Sequence, residues 1–149
     1  MARFRFELEA VLDHRERIEQ QKQRSVAELE TQRLRLERTI REYQRAIADE
    51  RLQQRDLLRL GHVMDARAQA GATVRLAAAA QRSVIELSGV HARLQVARAE
   101  LLEAAKRRKA VDLLKERRLE QWKLGQDRRE AAAMDELAVM KAGRNEEMA

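Results

Sequence analysis

Cysteine and proline are both absent from the chain, and each absence excludes some structures and some chemistry. Without cysteine the chain can form no disulfide, no thiolate metal site and no cysteine nucleophile. Without proline, the chain lacks the residue that most strongly breaks a helix, so long helices are permitted. Aromatic residues make up only 3% of the 149 residues, and there are five glycines. A β-sandwich or a doubly wound α/β domain needs strand blocks rich in aromatic and branched residues between turns, so both folds are excluded.

Long apolar runs are missing as well. No run approaches the roughly 18 residues that a membrane span requires, and the opening residues 1–9 lack the apolar core of a signal peptide. Charged residues make up 38% of the chain. Alanine, arginine, glutamate, leucine and glutamine dominate, which is typical of coiled coils and long helices. The composition predicts a soluble, intracellular, all-helical protein.

The net charge of +6 is not gathered into one basic tail. Residues 1–60, 61–100 and 101–149 each carry a net charge of +2, with both signs interleaved. This pattern indicates a solvated helix surface with many ion pairs. A nucleic-acid-binding protein concentrates its basic residues on one face or tail, so no nucleic-acid partner is expected.

Apolar residues recur at steps of three and four along both halves of the chain. Such steps place side chains on one stripe of a helix, whereas a strand would need steps of two. In the first half the stripe begins at Phe4 and predicts a helix over about residues 3–60. In the second half it begins at Leu76 and predicts a helix over about residues 73–141.

The stretch between the two stripes, about residues 61–72, has a different composition. Gly61 and Gly71 bracket it, its charge is low, and Thr73 can cap a following helix. A turn in this connector predicts an all-α fold in which two long helices form one antiparallel coiled-coil hairpin over residues 1–149.

A turn centred near residue 66 sets the expected pairing between the two helices. Leu36 is then opposite Ala97, and Val11 is opposite Trp122. Large residues would face small ones along the middle of the seam, as interdigitated helices require.

The chain carries few of the residues that catalysis or metal binding needs. The three histidines, His14, His62 and His91, are not spaced to bring two rings onto one metal ion. No glycine-rich loop precedes a Lys-Ser or Lys-Thr pair to hold phosphate. A hairpin of two helices also offers no dry pocket in which to shift the pKa of a carboxylate. We therefore expect neither an enzyme nor a bound metal or cofactor.

An apolar and cationic segment opens the chain, Arg3-Phe4-Arg5-Phe6, followed closely by Leu8. Exposed aromatic side chains would be wasteful there. Phe4 is expected to close the open end of the hairpin by packing near Trp122 and Arg128. Phe6 is expected to point elsewhere and to be available for an outside contact.

A basic segment and an amphipathic end lie further along the chain. The basic segment begins at Lys106-Arg107-Arg108-Lys109 and continues through Lys115, Arg117 and Arg118. It fits either a solvated face paired with nearby carboxylates or a contact with an acidic protein surface. Residues 128–138 form an amphipathic stretch beyond the first helix, and such an end commonly docks into another protein. Residues 142–149 are expected to fray, with Gly143 as a helix cap.

The two ends of the chain and the basic segment resemble the flagellar FliJ family of the bacterial type III protein-export apparatus. The opening resemblance is Phe4-x-Phe6-x-Leu8-Glu9-x-Val11-Leu12. The second is Lys109-Ala-Val-Asp-Leu-Leu-Lys-Glu-Arg-Arg-Leu-Glu-Gln-Trp122, which leads to Met134-Asp-Glu-Leu-Ala138. The resemblance covers essentially the whole chain in length and in hairpin layout.

This resemblance implies a non-enzymatic stalk similar to the central shaft of rotary ATPases. Such a stalk would insert into the hexameric export ATPase, promote its assembly and activity, and link it to the export gate, a membrane protein with a cytoplasmic domain. It would also bind export chaperones and serve flagellum assembly, motility and chemotaxis. The protein would be a monomeric hairpin in the cytoplasm, peripheral to the inner membrane through its partners.

The resemblance also implies site residues, and three sets follow from it together with the sequence pattern. The ATPase-binding set is Phe4, Phe6, Leu8, Met134, Asp135 and Leu137. The gate-binding set is Leu76, Ala80, Ser83 and Leu87, four residues that equally fit the seam between the helices. The basic contact face is Lys106, Arg107, Lys109 and Arg117.

Three alternatives remain open at this point. The chain could be the equivalent stalk of a virulence-type secretion system. It could be a generic dimeric coiled-coil adaptor in which two chains pair along continuous rods. It could also be a nucleic-acid-binding rod that uses the residues from Lys106 to Arg118, whose binding would fall steeply with salt.

Overall fold

The computed structural model describes residues 3–148, and two long helices account for most of them. Helix α1 spans Glu9–Arg59 and helix α2 spans Val63–Glu147. The described residues include no β-strand. The two helices pack against each other as an all-α helical hairpin, which confirms the predicted fold.

Contacts between Cα atoms group the chain into two compact units. Unit 1 comprises Met1–Ile18 and Ala104–Ala149, and unit 2 comprises Glu19–Glu103. The apolar seam of each unit is narrow, because a pair of helices can cover only one stripe of each surface. The buried side chains of unit 1 are Leu12, Ala104 and Val111, and those of unit 2 are Ala66, Val90, Leu94 and Ala97.

The turn between the helices depends on Gly61, whose φ is +79°. The amide of Gly61 donates to the carbonyl of Leu58 at 3.2 Å, and the amide of His62 donates to that of Leu57 at 2.9 Å. These two bonds form a Schellman motif, which satisfies carbonyls that the end of α1 would otherwise leave unpaired. The amide of Ala66 donates to the carbonyl of His62, so α2 begins directly after the turn.

The predicted connector over residues 61–72 is wrong, because α2 begins at Val63. The alanines of this stretch are strong helix formers, and a single glycine at position 71 does not stop a helix. Thr73 does not cap a helix start. Its hydroxyl donates to the carbonyl of Gln69 at 3.2 Å, one turn earlier in the same helix.

The earlier turn shifts the pairing of the helices by about ten residues from the predicted register. In unit 1, Trp122 lies against Phe4 and not against Val11. In unit 2, Lys22 pairs with Glu100, whereas the predicted register would have placed it opposite position 110. The stripe on each helix was identified correctly, but the turn position that sets their pairing was not.

Both predicted outer limits of the helices also need correction. The first helix begins at Glu9 and not near residue 3. The second continues to Glu147, so residues 142–147 are helical. Gly143 is no C-terminal cap, since Gly61 is the one glycine among the described residues with a positive φ. Nothing in the local sequence interrupts the helix, because alanine, lysine and arginine all favour it.

Charged side chains lie beside the apolar seam of unit 2. Lys22 Nζ is 2.9 Å from Glu100 Oε2. The guanidinium of Arg33 bridges Glu30 and Glu37 at 2.8 Å each, and Arg98 from α2 also pairs with Glu30. The hydrogen bond from Arg33, with another from Arg98, lowers the pKa of the Glu30 carboxyl below its ordinary value of 4.5. The hydrogen bonds that Arg33 donates to Glu30 and Glu37 raise the pKa of Arg33 above its ordinary value. Long basic side chains can therefore occupy seam positions with their stems packed and their charges paired.

Gly61→Ala should lower the free energy of unfolding by about 1 kcal/mol, because an added Cβ is strained at a left-handed φ. Gly89→Ala is the matched control. Gly89 lies within α2, where a Cβ would meet no atom within 4 Å, so alanine should stabilise the chain by roughly 0.5–1 kcal/mol. Urea unfolding followed by circular dichroism measures both changes. Equal stability of the two variants would contradict this account of the turn.

Low pH should weaken the ion pairs that Glu30 forms with Arg33 and Arg98. Since the folded-state pKa of Glu30 is lowered, its contribution to stability is present above about pH 4.5 and is lost as the pH falls through the folded-state pKa. The urea midpoint of Glu30→Gln should therefore fall less between about pH 6 and about pH 3 than that of the unmodified chain. The control is Glu28→Gln, which changes an exposed glutamate without an ion pair. Its urea midpoint should fall as much as that of the unmodified chain. Identical pH profiles for all three proteins would exclude the proposed contribution.

Candidate functional site

The N-terminal segment of unit 1 lies against α2 before α1 begins. The rings of Phe4 and Trp122 are 6.0 Å apart between centroids, with planes inclined by 60°, a tilted geometry that aromatic pairs favour. Both residues are half-buried. The expectation that Phe4 packs near Trp122 is confirmed.

Phe6 does not point away from α2 as predicted. It is half-buried, and Lys115 Nζ lies 6.0 Å from the centroid of its ring. The same ammonium group is 2.8 Å from a carboxylate oxygen of Glu9. The hydrogen bond with Glu9 is the main cause that raises the pKa of Lys115. The backbone of residues 3–8 is not helical, which explains the difference, because two phenylalanines separated by one residue would diverge on a helix.

The sequence predicted Lys115 only as part of the basic segment, and the pairing of Lys115 with Glu9 at this site was missed. Their ion pair joins the start of α1 to α2, and the ring pair of Phe4 and Trp122 joins the preceding segment to α2. Lys115 interrupts the apolar stripe of α2, and that interruption was the available signal. Its partner depends on the register, which the misplaced turn obscured. One open cleft beside this segment is lined by Phe4, Phe6, Leu8 and Trp122 among others.

Residues 131–148, which include the C-terminal part of α2, are all exposed. Met134 is 68% exposed and Leu137 is 54% exposed, and Asp135 lies between them. Met134 lies twelve residues beyond Trp122 on the same helix, which corresponds to roughly 18 Å. The structure therefore separates the predicted ATPase-binding set into a half-packed N-terminal group and an exposed C-terminal group.

The predicted basic contact face is exposed along α2 in unit 1. This holds for Lys106, Arg107, Lys109 and Arg117. The neighbouring Arg108 is half-buried and pairs with Asp112 at 2.6 Å. Arg15 donates to the backbone carbonyl of Arg107 at 3.1 Å. Arg108 and the backbone carbonyl of Arg107 therefore take part in contacts within unit 1. The four exposed cations lie on either side of Arg108 along α2.

The predicted gate-binding residues lie on the seam of unit 2. Leu76, Ala80, Ser83 and Leu87 are all half-buried, and they continue the stripe of Val90 and Leu94 at helical spacing. Their burial supports the seam interpretation of these four residues. Their role in gate binding stays a prediction.

Residues 3–148 contain no group of three or more histidine and acidic side chains placed to hold a metal ion. Within the same range no helix is both long and apolar enough to cross a membrane.

Phe4→Ala should detach the N-terminal segment from Trp122. Trp122 is the single tryptophan of the chain, so its fluorescence reports this contact directly. We expect a red-shifted emission and stronger quenching by acrylamide, because water then reaches the indole ring. The free energy of unfolding should fall by about 1–2 kcal/mol, because the half-buried ring of Phe4 is removed. Leu124→Ala, at an exposed residue two positions from Trp122, is the control and should leave the emission unchanged. An unchanged spectrum for Phe4→Ala would rule out the ring contact in solution.

The model of the family described as "Flagellar FliJ protein" matches residues 4–147. No curated protein and no solved structure matches the chain. The family match includes the N-terminal aromatic segment, both helices and the exposed C-terminal residues. The chain therefore belongs to the flagellar FliJ family, a component of flagellar protein export.

Proposed function

We propose that this protein is a non-enzymatic stalk of the flagellar export apparatus that inserts into the hexameric export ATPase and stimulates it. The observation that carries the proposal is the exposed C-terminal part of α2 in unit 1. It continues past the last contact with the N-terminal segment and has no covering partner among the described residues. Family membership makes the export ATPase the partner to test first.

The C-terminal part of α2 has the pattern of a docking helix. Met134, Leu137 and Met140 follow at steps of three, so they share one side of the helix. Val139 is 73% exposed and lies on a different side. A partner that binds an amphipathic helix uses such spaced anchors. The charges among these residues have both signs, which suits a contact that must form without large adhesive patches.

The N-terminal group contributes differently to the proposed ATPase contact. Phe4 and Phe6 are half-packed against α2, and Leu8 is 39% exposed. We propose that the two phenylalanines keep the paired ends together, while Leu8 and the C-terminal residues Met134, Asp135 and Leu137 touch the ring.

The remaining partners are part of the same proposal. A monomeric hairpin would link the ATPase to the cytoplasmic domain of the export gate and would bind export chaperones, which would locate it at the cytoplasmic face of the inner membrane. Leu76, Ala80, Ser83 and Leu87 stand as the proposed gate contact. Because they also pack in the seam, their substitution would change stability as well as gate binding.

Removal of the two central anchors tests the ATPase contact. The variant Met134→Ser with Leu137→Ser should need a roughly tenfold higher concentration than the unmodified chain for half-maximal stimulation of ATP hydrolysis, since a docking helix inserts its spaced apolar anchors into the groove of its partner. Val139→Ser, with similar exposure on another side, should stimulate as the unmodified chain does. Measurement of hydrolysis and ring assembly against stalk concentration checks both.

Deletions supply the second arm of this experiment. A chain without residues 1–8 and a chain without residues 130–149 should each fail to stimulate the ATPase. Full stimulation by both truncated chains would refute the assignment of the contact to this end of the molecule.

A further inference from the structure

A cluster of large aliphatic side chains is exposed at the turn between the helices in unit 2. We define the turn patch as Leu58, Leu60, Val63 and Met64. Leu60 is 72% exposed and Met64 is 77% exposed, and the other two residues are more than half exposed. These four residues lie within seven positions of one tight turn whose backbone hydrogen bonds hold it closed.

Unpaired positive charge surrounds this patch. Residues 51–71, which extend equally far on both sides of Gly61, contain four arginines and two aspartates and so carry a net charge of +2. Arg55, Arg59 and Arg67 are exposed. No carboxylate of the described residues lies within ion-pair distance of them.

Arginine and apolar surface adjoin directly on the α1 side of the turn. Arg51, Arg55 and Arg59 line one open depression together with Leu58. Arginines at steps of four share one side of a helix. The aliphatic end of the turn and its cationic flank are therefore neighbouring parts of one surface in unit 2.

We propose that the turn patch and its arginines bind the surface of an anionic lipid bilayer. Leucine, valine and methionine side chains would enter the boundary between headgroups and acyl chains, and the arginines would pair with lipid phosphates. Both attractions act at the same end of the hairpin, which a peripheral contact needs because one weak signal alone does not anchor a protein.

The residue types favour a bilayer over other anionic partners. Binding of single-stranded nucleic acid relies on aromatic side chains that stack on bases, and residues 51–85 contain no aromatic residue. Protein interfaces concentrate their energy in tryptophan, tyrosine and arginine, and only arginine is present here. Aliphatic side chains beside arginines match the chemistry of an anionic membrane surface.

Flotation of the full chain with lipid vesicles tests the proposal. The chain should float with vesicles that contain phosphatidylcholine and 30% phosphatidylglycerol, and it should not float with pure phosphatidylcholine. Binding should weaken when salt is raised from about 0.1 M to about 0.5 M, because salt screens the arginines. Absence of flotation with anionic vesicles at low salt would overturn the proposal.

Substitutions locate the contact on the turn. The triple variant Arg55→Gln, Arg59→Gln and Arg67→Gln should lower the partition coefficient roughly 100-fold, at about fivefold for each arginine. The triple variant Arg35→Gln, Arg38→Gln and Arg41→Gln removes the same charge from exposed positions elsewhere in unit 2 and should lower it far less. If both triple variants lose the same amount of binding, the binding depends only on net charge and not on the turn, which would overturn the proposal.

The aliphatic part needs its own variant, Leu60→Ser with Met64→Ser. Both side chains are largely exposed, so the thermal unfolding of this variant should match that of the unmodified chain, while flotation falls at least tenfold. Flotation unaffected by this pair would overturn the role of the patch. If the chain binds a single-stranded oligonucleotide with the same dependence on the arginines, and does not float with vesicles, then the partner of this surface is nucleic acid and the bilayer proposal is wrong. The proposed ATPase contact uses residues of unit 1, so each proposal can fail without the other.

Discussion

Close packing of α2 against α1 is the constraint on which the rest of the structure depends. Among residues 3–148, six of the seven buried apolar residues belong to α2, and most of these six are alanine or valine. Small side chains let the facing helix approach until its larger residues cover them. The seam within each unit is therefore thin, and in unit 2 ion pairs such as Lys22 with Glu100 accompany it. Stability depends on helix propensity and on the turn as much as on buried area.

A thin seam leaves apolar side chains uncovered wherever pairing ends. In unit 1 this happens beyond Trp122, where residues 131–148 are exposed. In unit 2 it happens at the turn, where Leu60 and Met64 are exposed. The N-terminal segment differs, because its phenylalanines are half-packed under Trp122 and Lys115. The turn carries arginines beside its aliphatic residues, whereas residues 131–148 carry charges of both signs. This difference is the basis of the two proposals.

Periodicity predicted both helices and the stripe on each, since the spacing of apolar residues depends only on local helix geometry. The turn was placed too late. Low charge and two glycines suggested a connector up to residue 72, but only Gly61 has a left-handed φ, and backbone angles are not visible in composition. That error displaced the register and hid the pairing of Lys115 with Glu9. The position of Phe6 was missed for another reason, because the segment before Glu9 is not helical.

The central claim is that the two helices of one chain pack against each other, and an engineered disulfide tests it most directly. The chain has no native cysteine, so Lys22→Cys with Glu100→Cys, at a pair whose charged atoms are 2.9 Å apart, supplies the only two thiols that can pair. In dilute oxidising solution we expect an intrachain disulfide and a mass of 17.3 kDa. Disulfide-linked dimers as the main product would show that the seam joins two chains and would contradict the hairpin.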